Sequence, residues 1–330
     1  MTTHPIPLPT LQSLITTTLP LPTATLTRQS SIEGDDHMIY QITESPTHLL
    51  RITKPRQDRP LTGHQMLTFD IAIRNLIRDQ YRARGLSADA IPISVASRFL
   101  SQDGVYAASL ETRLPGVGLH LVRPTEETVR GLVELVSVLK GVGMVDLEAE
   151  MGAGVPRIPF PELRNLREKA IQVWRRLVGN GQVAGHEYGV EDGIEIEELI
   201  ERKTEFIDVV PPQDGSSDRV LVHNDFKGEH FLVDPDSGRI TGILDWADAG
   251  IGYPATDIAG LVLTVGTRLA ARIAAEVGYG AEEILRGVML ARCGCVLRLD
   301  ERLDGGNEFM PLDLLRDQLA LSLGSCELVW

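Results

Sequence analysis

Cysteine is scarce in this chain of 330 residues: only Cys293, Cys295 and Cys326 are present. Three thiols cannot build a disulfide framework, and their spacing matches no zinc pattern, so a reducing compartment is expected. Long apolar runs are lacking as well, and none approaches the ~18 residues that span a bilayer. The first 25 residues, MTTHPIPLPTLQSLITTTLPLPTAT, have no basic start and are broken by prolines. That fits neither a secretory signal nor an Arg-rich transit segment, and the expectation is a cytoplasmic protein with no membrane partner. A Walker loop (Gly-x-x-x-x-Gly-Lys-Ser/Thr) occurs nowhere. Internal repeats and low-complexity segments are absent too.

What is present is 43% hydrophobic and 24% charged residues, the balance of a soluble globular protein. The formal net charge of -14 argues against a nucleic-acid backbone as the main partner. It is compatible with a cationic ligand and equally with simple solvation. The length admits one large domain or two ordinary ones.

The N-terminal third reads as β-rich. Strand-like stretches flank the turn cluster Glu33-Gly34-Asp35-Asp36, another strand is expected at HLLRIT, and more follow at IPISVASRF and GVYAASLETRL. Between them LTFDIAIRNLIRDQYRARG carries apolar residues at 69, 73, 76 and 77, a helical period with Gly85 as its stop. Proline and two glycines at LPGVGL mark a boundary, giving units 1–113 and 114–330. The second unit reads mainly helical, opening at Thr125 as a capping residue before Glu126 and Glu127. The expected class is α+β, a small β-rich lobe joined to a larger helical one.

Charge and structure signals converge at HNDFKGEH, residues 223–230, which follows the short apolar strand in RVLV. Behind it, FLVD and ITGILDW flank PDSGR, a hairpin signal. A two-residue turn at Ser237-Gly238 sets His230 opposite Asp245, and a turn one residue longer sets Glu229 there instead. Directly opposed residues stand ~5 Å apart, the spacing for two side chains sharing a cation. Asp225 is then an acid beside that cation, able to accept a hydroxyl proton while the cation neutralises phosphate charge. The plainer alternative makes His223, Asp225, Lys227 and Glu229 a solvated turn.

The stretch HNDFKGEHFLVDPDSGRITGILDWADAGIGYPATDIAGL resembles the catalytic core of the aminoglycoside and macrolide phosphotransferases, antibiotic kinases of the protein-kinase-like fold. In that family a loop H-x-D-x-x-x-x-N/H precedes a hairpin ending I-D-W/F and a segment G-D-P-x-x-D. HNDF is similar to the aminoglycoside 2''-phosphotransferases, and histidine at 230 to the macrolide 2'-phosphotransferases. The resemblance implies Asp225 as catalytic base, His230 and Asp245 as metal ligands, His223 as a brace for the loop and Asp257 as a structural aspartate. Lys227 resembles the protein-kinase lysine that approaches the transferred phosphate. His230 stands where asparagine is commoner, and a loop-bracing role for it stays open. No A-P-E segment follows Asp245, which favours a small acceptor over a protein.

The same resemblance implies ATP or GTP as co-substrate and Mg2+, with Mn2+ as the alternative. In the N-terminal unit it implies Arg51 as the phosphate cation with Asp70 as its helical acid, or else Lys54 as the cation. The turn holding Ser31 and Gly34 would cover the phosphates, or be a plain hairpin turn. SLETRL, with Glu111 and Arg113, would form the purine-holding hinge. Asp248, Glu301, Asp304 and Glu308 would meet amines of an acceptor, or form a solvated loop. Trp246 reads as packing. The partners implied are a nucleoside triphosphate and a small hydroxyl acceptor; the oligomeric state is open. A metal-dependent hydrolase and a nucleotide-binding pseudokinase are the competing classes.

Overall fold

The structure is a computed structural model that describes residues 6–30, 33, 36–54, 62–101, 103–143, 147, 155–160, 162–183, 188, 196–201, 219–306 and 311–326. The chain divides into two compact units, one of residues 1–116 with 241–247, the other of residues 117–240 with 248–330.

The first unit opens with helix α1, Leu8–Thr18, which the proline-broken sequence does not suggest. Pro7 is its N-cap and Pro9 falls in its first turn, where no intrahelical N–H is required. Its three terminal threonines donate their hydroxyls to carbonyls four residues back, at 3.0, 2.7 and 2.8 Å for Thr16, Thr17 and Thr18. Strands β1 (Leu26–Arg28), β2 (His37–Ile42), β3 (His48–Thr53), β4 (Ser94–Phe99) and β5 (Ala107–Thr112) form an antiparallel sheet in the order β1-β2-β3-β5-β4. Because successive strand residues point to opposite faces, the sheet has two unlike sides. Met38, Tyr40, Ile42, Leu50, Ile52, Ala108 and Leu110 pack with Leu11, Leu14 and Ile15 of α1 in one apolar cluster. Each large side chain buried there stabilises by about 1.5–3 kcal/mol. The other side carries His37, Arg51, Ser109 and Glu111.

Helix α2, Gly63–Ala83, bears on that polar side. Its start is a capping box: Thr62 Oγ1 accepts the Gln65 N–H at 3.3 Å and Gln65 Oε1 accepts the Thr62 N–H at 2.9 Å. Its end is where the sequence places it, with Gly85 at φ 72 just beyond.

In the second unit, α3 (Glu126–Lys140) is capped by Thr125. Helices α4 (Leu163–Gly179) and α5 (Ile196–Glu201) follow. Strand β7 (Val220–Val222) pairs antiparallel with β10 (Gly250–Gly252), aligning Val222 with Gly250. Strand β6 (Val117–Gly118) borders β8 (Phe231–Val233), and β9 (Ile240–Ile243) starts at the last residue of the 117–240 stretch and runs on into residues 241–247 of the first unit. Helices α6 (Pro254–Val265), α7 (Thr267–Glu276), α8 (Ala281–Leu303) and α9 (Leu312–Leu323) complete the chain.

The β8–β9 turn differs from both registers weighed above. The Asp234 N–H donates to Arg239 O at 2.9 Å and the Gly238 N–H to Asp234 O at 2.8 Å, so Pro235 to Gly238 form a four-residue loop. The cause is the Asp234 carboxylate, which accepts the N–H groups of Asp236 and Ser237 at 3.2 and 2.8 Å and the Ser237 hydroxyl at 2.9 Å. Thr128 Oγ1 then donates to Gly238 O at 2.7 Å, tying the turn to the start of α3. No helix among the described residues is long and apolar enough to cross a membrane.

Candidate active site

The charged loop leaves β7 at His223, which is fully buried, and enters β8 through a short 3-10 turn at Gly228–His230. Asp257, in the first turn of α6, fixes its backbone. The Asp257 carboxylate accepts the His223 N–H at 2.9 Å and the Asn224 N–H at 2.8 Å. Asn224 sits at φ 67, a left-handed conformation that asparagine tolerates better than most residues. Burial pushes the Asp257 carboxyl up to about 7, against the pull of those two N–H groups. Phe226 anchors the loop's middle at 1% exposure, with the rings of His223 and Phe231 at 4.9 and 5.2 Å. Gly260 on α6 makes room for it: a Cβ there would stand 2.4 Å from Phe226 Cβ and 2.5 Å from its carbonyl oxygen.

This framing holds Asp225 with two cationic or polar neighbours. Lys227 Nζ is 2.6 Å from Asp225 Oδ1, and His230 Nδ1 is 3.4 Å from Oδ2. Burial alone would raise the Asp225 carboxyl, but Lys227 and His230 outweigh it and hold it below its usual value. His230 Nδ1 also lies 2.9 Å from the Asp225 backbone oxygen. A carbonyl only accepts, so Nδ1 carries a proton.

The first unit holds a second polar cluster. Arg51 Nη1 donates to Asp70 Oδ2 and to both Glu111 oxygens at 3.3 Å, and its Nη2 lies 3.1 Å from His37 Nδ1. Arg74 Nη2 bridges the same two acids, at 2.8 Å from Asp70 and 2.9 Å from Glu111. Asp70 and Arg74 are 1% exposed and Glu111 2%. Two guanidinium groups and two carboxylates thus neutralise one another out of water, which lone charges in that place would not survive. Burial would lower the Arg51 guanidinium, but Glu111, Asp70 and Asp245 outweigh it and raise it, whereas Arg51 and Arg74 overcome burial at Glu111 and lower it. Lys54 is paired elsewhere, 3.3 Å from Glu33, whose carboxyl is lowered to about 2 chiefly by its bond to Arg28.

A paired loop acid, its aspartate-anchored backbone and a buried Arg–Asp pair coincide with what sequence comparison finds. Residues 50–290 match the phosphotransferase enzyme family. The chain belongs to that family. Among curated proteins it is similar to viomycin phosphotransferase of Streptomyces vinaceus, 26% identical over 172 residues that make up 51% of this chain and 54% of that protein. A stretch of 50 residues, 15% of this chain, is 40% identical to acyl-CoA dehydrogenase family member 11 of Mus musculus, covering 6% of it. The chain thus spans about half the length of the first relative and a small part of the second. Among solved structures, the GDP complex of wild-type aminoglycoside 2'-phosphotransferase-IIIa superposes with a TM-score of 0.60 at 18% identity, covering 93% of this chain and 97% of that one. The fold is therefore the kinase-like fold of the aminoglycoside phosphotransferases, as the sequence resemblance implies.

Within this family member the other sequence candidates fall as follows. Ser31, Gly34 and Glu308 lie outside the described residues. The SLETRL stretch is divided: residues 109–112 belong to β5, with the Glu111 side chain in the Arg74 cluster, and the Arg113 N–H donates to Thr47 O at 2.8 Å. Asp248 ends a 3-10 turn, Trp246–Asp248. Trp246 is fully buried, its Nε1–H donating to Ile243 O at 2.9 Å, so it packs. Glu301 is exposed near the end of α8, and Asp304 is 3.2 Å from Arg176. Sequence reading missed Arg74 and His37. For Arg74 a signal existed, an Asp-x-x-x-Arg pair at i, i+4 on the stripe of α2 that also carries Ile73 and Ile77.

Proposed function

We propose that this chain is a small-molecule kinase, transferring the γ-phosphate of ATP or GTP to a hydroxyl of a small acceptor. The observation that carries the reading is Asp225: a half-buried carboxylate kept ionised by Lys227 on a loop whose backbone Asp257 pins. In the step proposed, the acceptor O–H gives its proton to Asp225 as its oxygen bonds to the γ-phosphorus. The bond from that phosphorus to the β–γ bridging oxygen breaks, and nucleoside diphosphate leaves with the electron pair. In this reading Lys227 turns from Asp225 toward the transferred phosphoryl. Arg51, steadied by Asp70, is the proposed cation for the remaining phosphates.

His230 and Asp245, the positions the sequence resemblance implies as ligands, are the proposed holders of the divalent cation. A carboxylate and an imidazole suit Mn2+ and are acceptable to Mg2+, which prefers oxygen. When bound, such a cation supplies neutralisation of phosphate charge.

The acceptor class is tested directly. The purified protein is incubated with γ-labelled ATP or GTP, Mg2+ or Mn2+, and viomycin, kanamycin, a macrolide or simple hydroxylated amines. Label appearing on an acceptor supports the reading. Nucleotide-independent hydrolysis of phosphate esters supports a hydrolase instead, and nucleotide binding without any transfer a pseudokinase.

A further inference from the structure

A cavity of about 880 Å³ lies within the C-terminal unit, walled by residues 119–124, by the end of α6 at residues 263–265 and by the stretch from 311 to 321. Its volume is that of small-molecule sites, which run about 300–1,000 Å³. Two of its walls abut the loop that carries Asp225. A Cβ on Gly228 would stand 2.9 Å from His120 Cβ and 3.0 Å from its backbone nitrogen. Thr264 Oγ1 is 3.5 Å from Phe226 O.

The lining is mainly apolar, and Leu121 and Leu321, 70% and 37% exposed, offer it open apolar surface. One lining residue breaks the pattern. Gln318 is 2% exposed, and neither its Nε2 nor its Oε1 has a hydrogen-bond partner. A buried amide without partners is a defect that folding alone gives no reason to keep. Its terminal torsion is soft, so the amide turns easily to meet a ligand. The ionisable members of the described lining, His120, Arg123 and Asp317, are all exposed. A cation at the cavity floor would shed its hydration and find no buried carboxylate among them.

We propose that this cavity takes the acceptor, and that the part of the acceptor it holds is uncharged: an apolar body against Leu121, Leu263, Leu314 and Leu321, with an amide-like donor and acceptor paired to Gln318. This rests on the kinase reading and narrows its substrate class away from polycationic amino sugars.

The test uses N-(2-hydroxyethyl)benzamide, which joins an aryl face, an amide and a hydroxyl, and its cationic counterpart N-benzylethanolamine, titrated calorimetrically into the intact protein. Wild type binds the amide, and binds the amine about tenfold more weakly. Gln318→Leu weakens the amide about tenfold and raises Tm, because the orphan amide is gone. Ala320→Trp, an exposed lining position filled by a large ring, also blocks the amide. The proposal is overturned if wild type does not bind the amide, if the amine binds as tightly, if Gln318→Leu or Ala320→Trp keeps wild-type affinity, or if Gln318→Leu lowers Tm and so marks the amide as structural. Failure of phosphoryl transfer counts against the kinase reading and leaves these binding results standing, so the two failures are told apart.

Discussion

Asp257 accepts the backbone N–H of Asn224 at 2.8 Å, and Asn224 is held at φ 67 directly before the proposed base. A helix thereby fixes the direction in which the next residue, Asp225, leaves the backbone. Asp257→Asn replaces one accepting oxygen with a donor facing a donor, and the expected loss is about 1–3 kcal/mol of stability. The pH dependence carries a sign. The folded carboxyl is raised to about 7, so between the ordinary carboxyl value and about 7 the folded protein holds the extra proton. The associated stability is present at low pH and is lost as pH rises through that window. Chemical denaturation across the window checks it: wild type loses this increment on alkalinisation, and Asp257→Asn lacks that slope.

Lys227 sets the protonation of Asp225. Lys227→Met removes the nearest cation, 2.6 Å away, while His230 remains. Because the wild-type carboxyl is held below its usual value, activity that needs the carboxylate persists as pH falls. In Lys227→Met the acid limb of kcat/KM moves to higher pH. An unmoved limb with reduced kcat would show that Lys227 acts on the phosphate alone.

Arg74 is predicted to hold the Arg51 cluster together. Removing one partner of a buried ion pair leaves uncompensated charge, so Arg74→Met is expected to cost about 3–5 kcal/mol by urea unfolding. Arg51→Lys keeps charge but loses the fork whose Nη1 meets Asp70 and Glu111 and whose Nη2 lies by His37. Its expected effect is weaker nucleotide binding with stability less affected, read by nucleotide titration beside denaturation.

Gly260→Ala tests the approach of α6 to the loop. The added methyl would stand 2.4 Å from Phe226 Cβ, and the expected cost is about 1–3 kcal/mol, with lowered kcat from a displaced loop. Tm and initial rates on one preparation check both halves.

The loop at 223–230 and helix α2 were legible because their signals are local: clustered charges after a short apolar strand, and a 3.6-residue stripe closed by Gly85. The four-residue turn was not, because Asp234 caps it with its side chain, a choice composition does not distinguish from a tighter Ser-Gly turn. Helix α1 stayed hidden behind prolines that prove harmless in a first turn. Arg74 was passed over because a charged residue on a helix usually marks the solvent face. Its burial follows from Glu111, thirty-seven residues away in sequence, and no pattern within either element reveals a partner in another. Gln318 carries no sequence signal of its kind at all.

The kinase reading is tested most directly by nucleoside diphosphate release measured with Mg2+ and an acceptor that becomes labelled, in wild type and Asp225→Asn. The account predicts acceptor-dependent release in wild type and a fall of about 100- to 10,000-fold in kcat for Asp225→Asn, with nucleotide affinity unchanged. Equal turnover in the two proteins would contradict it.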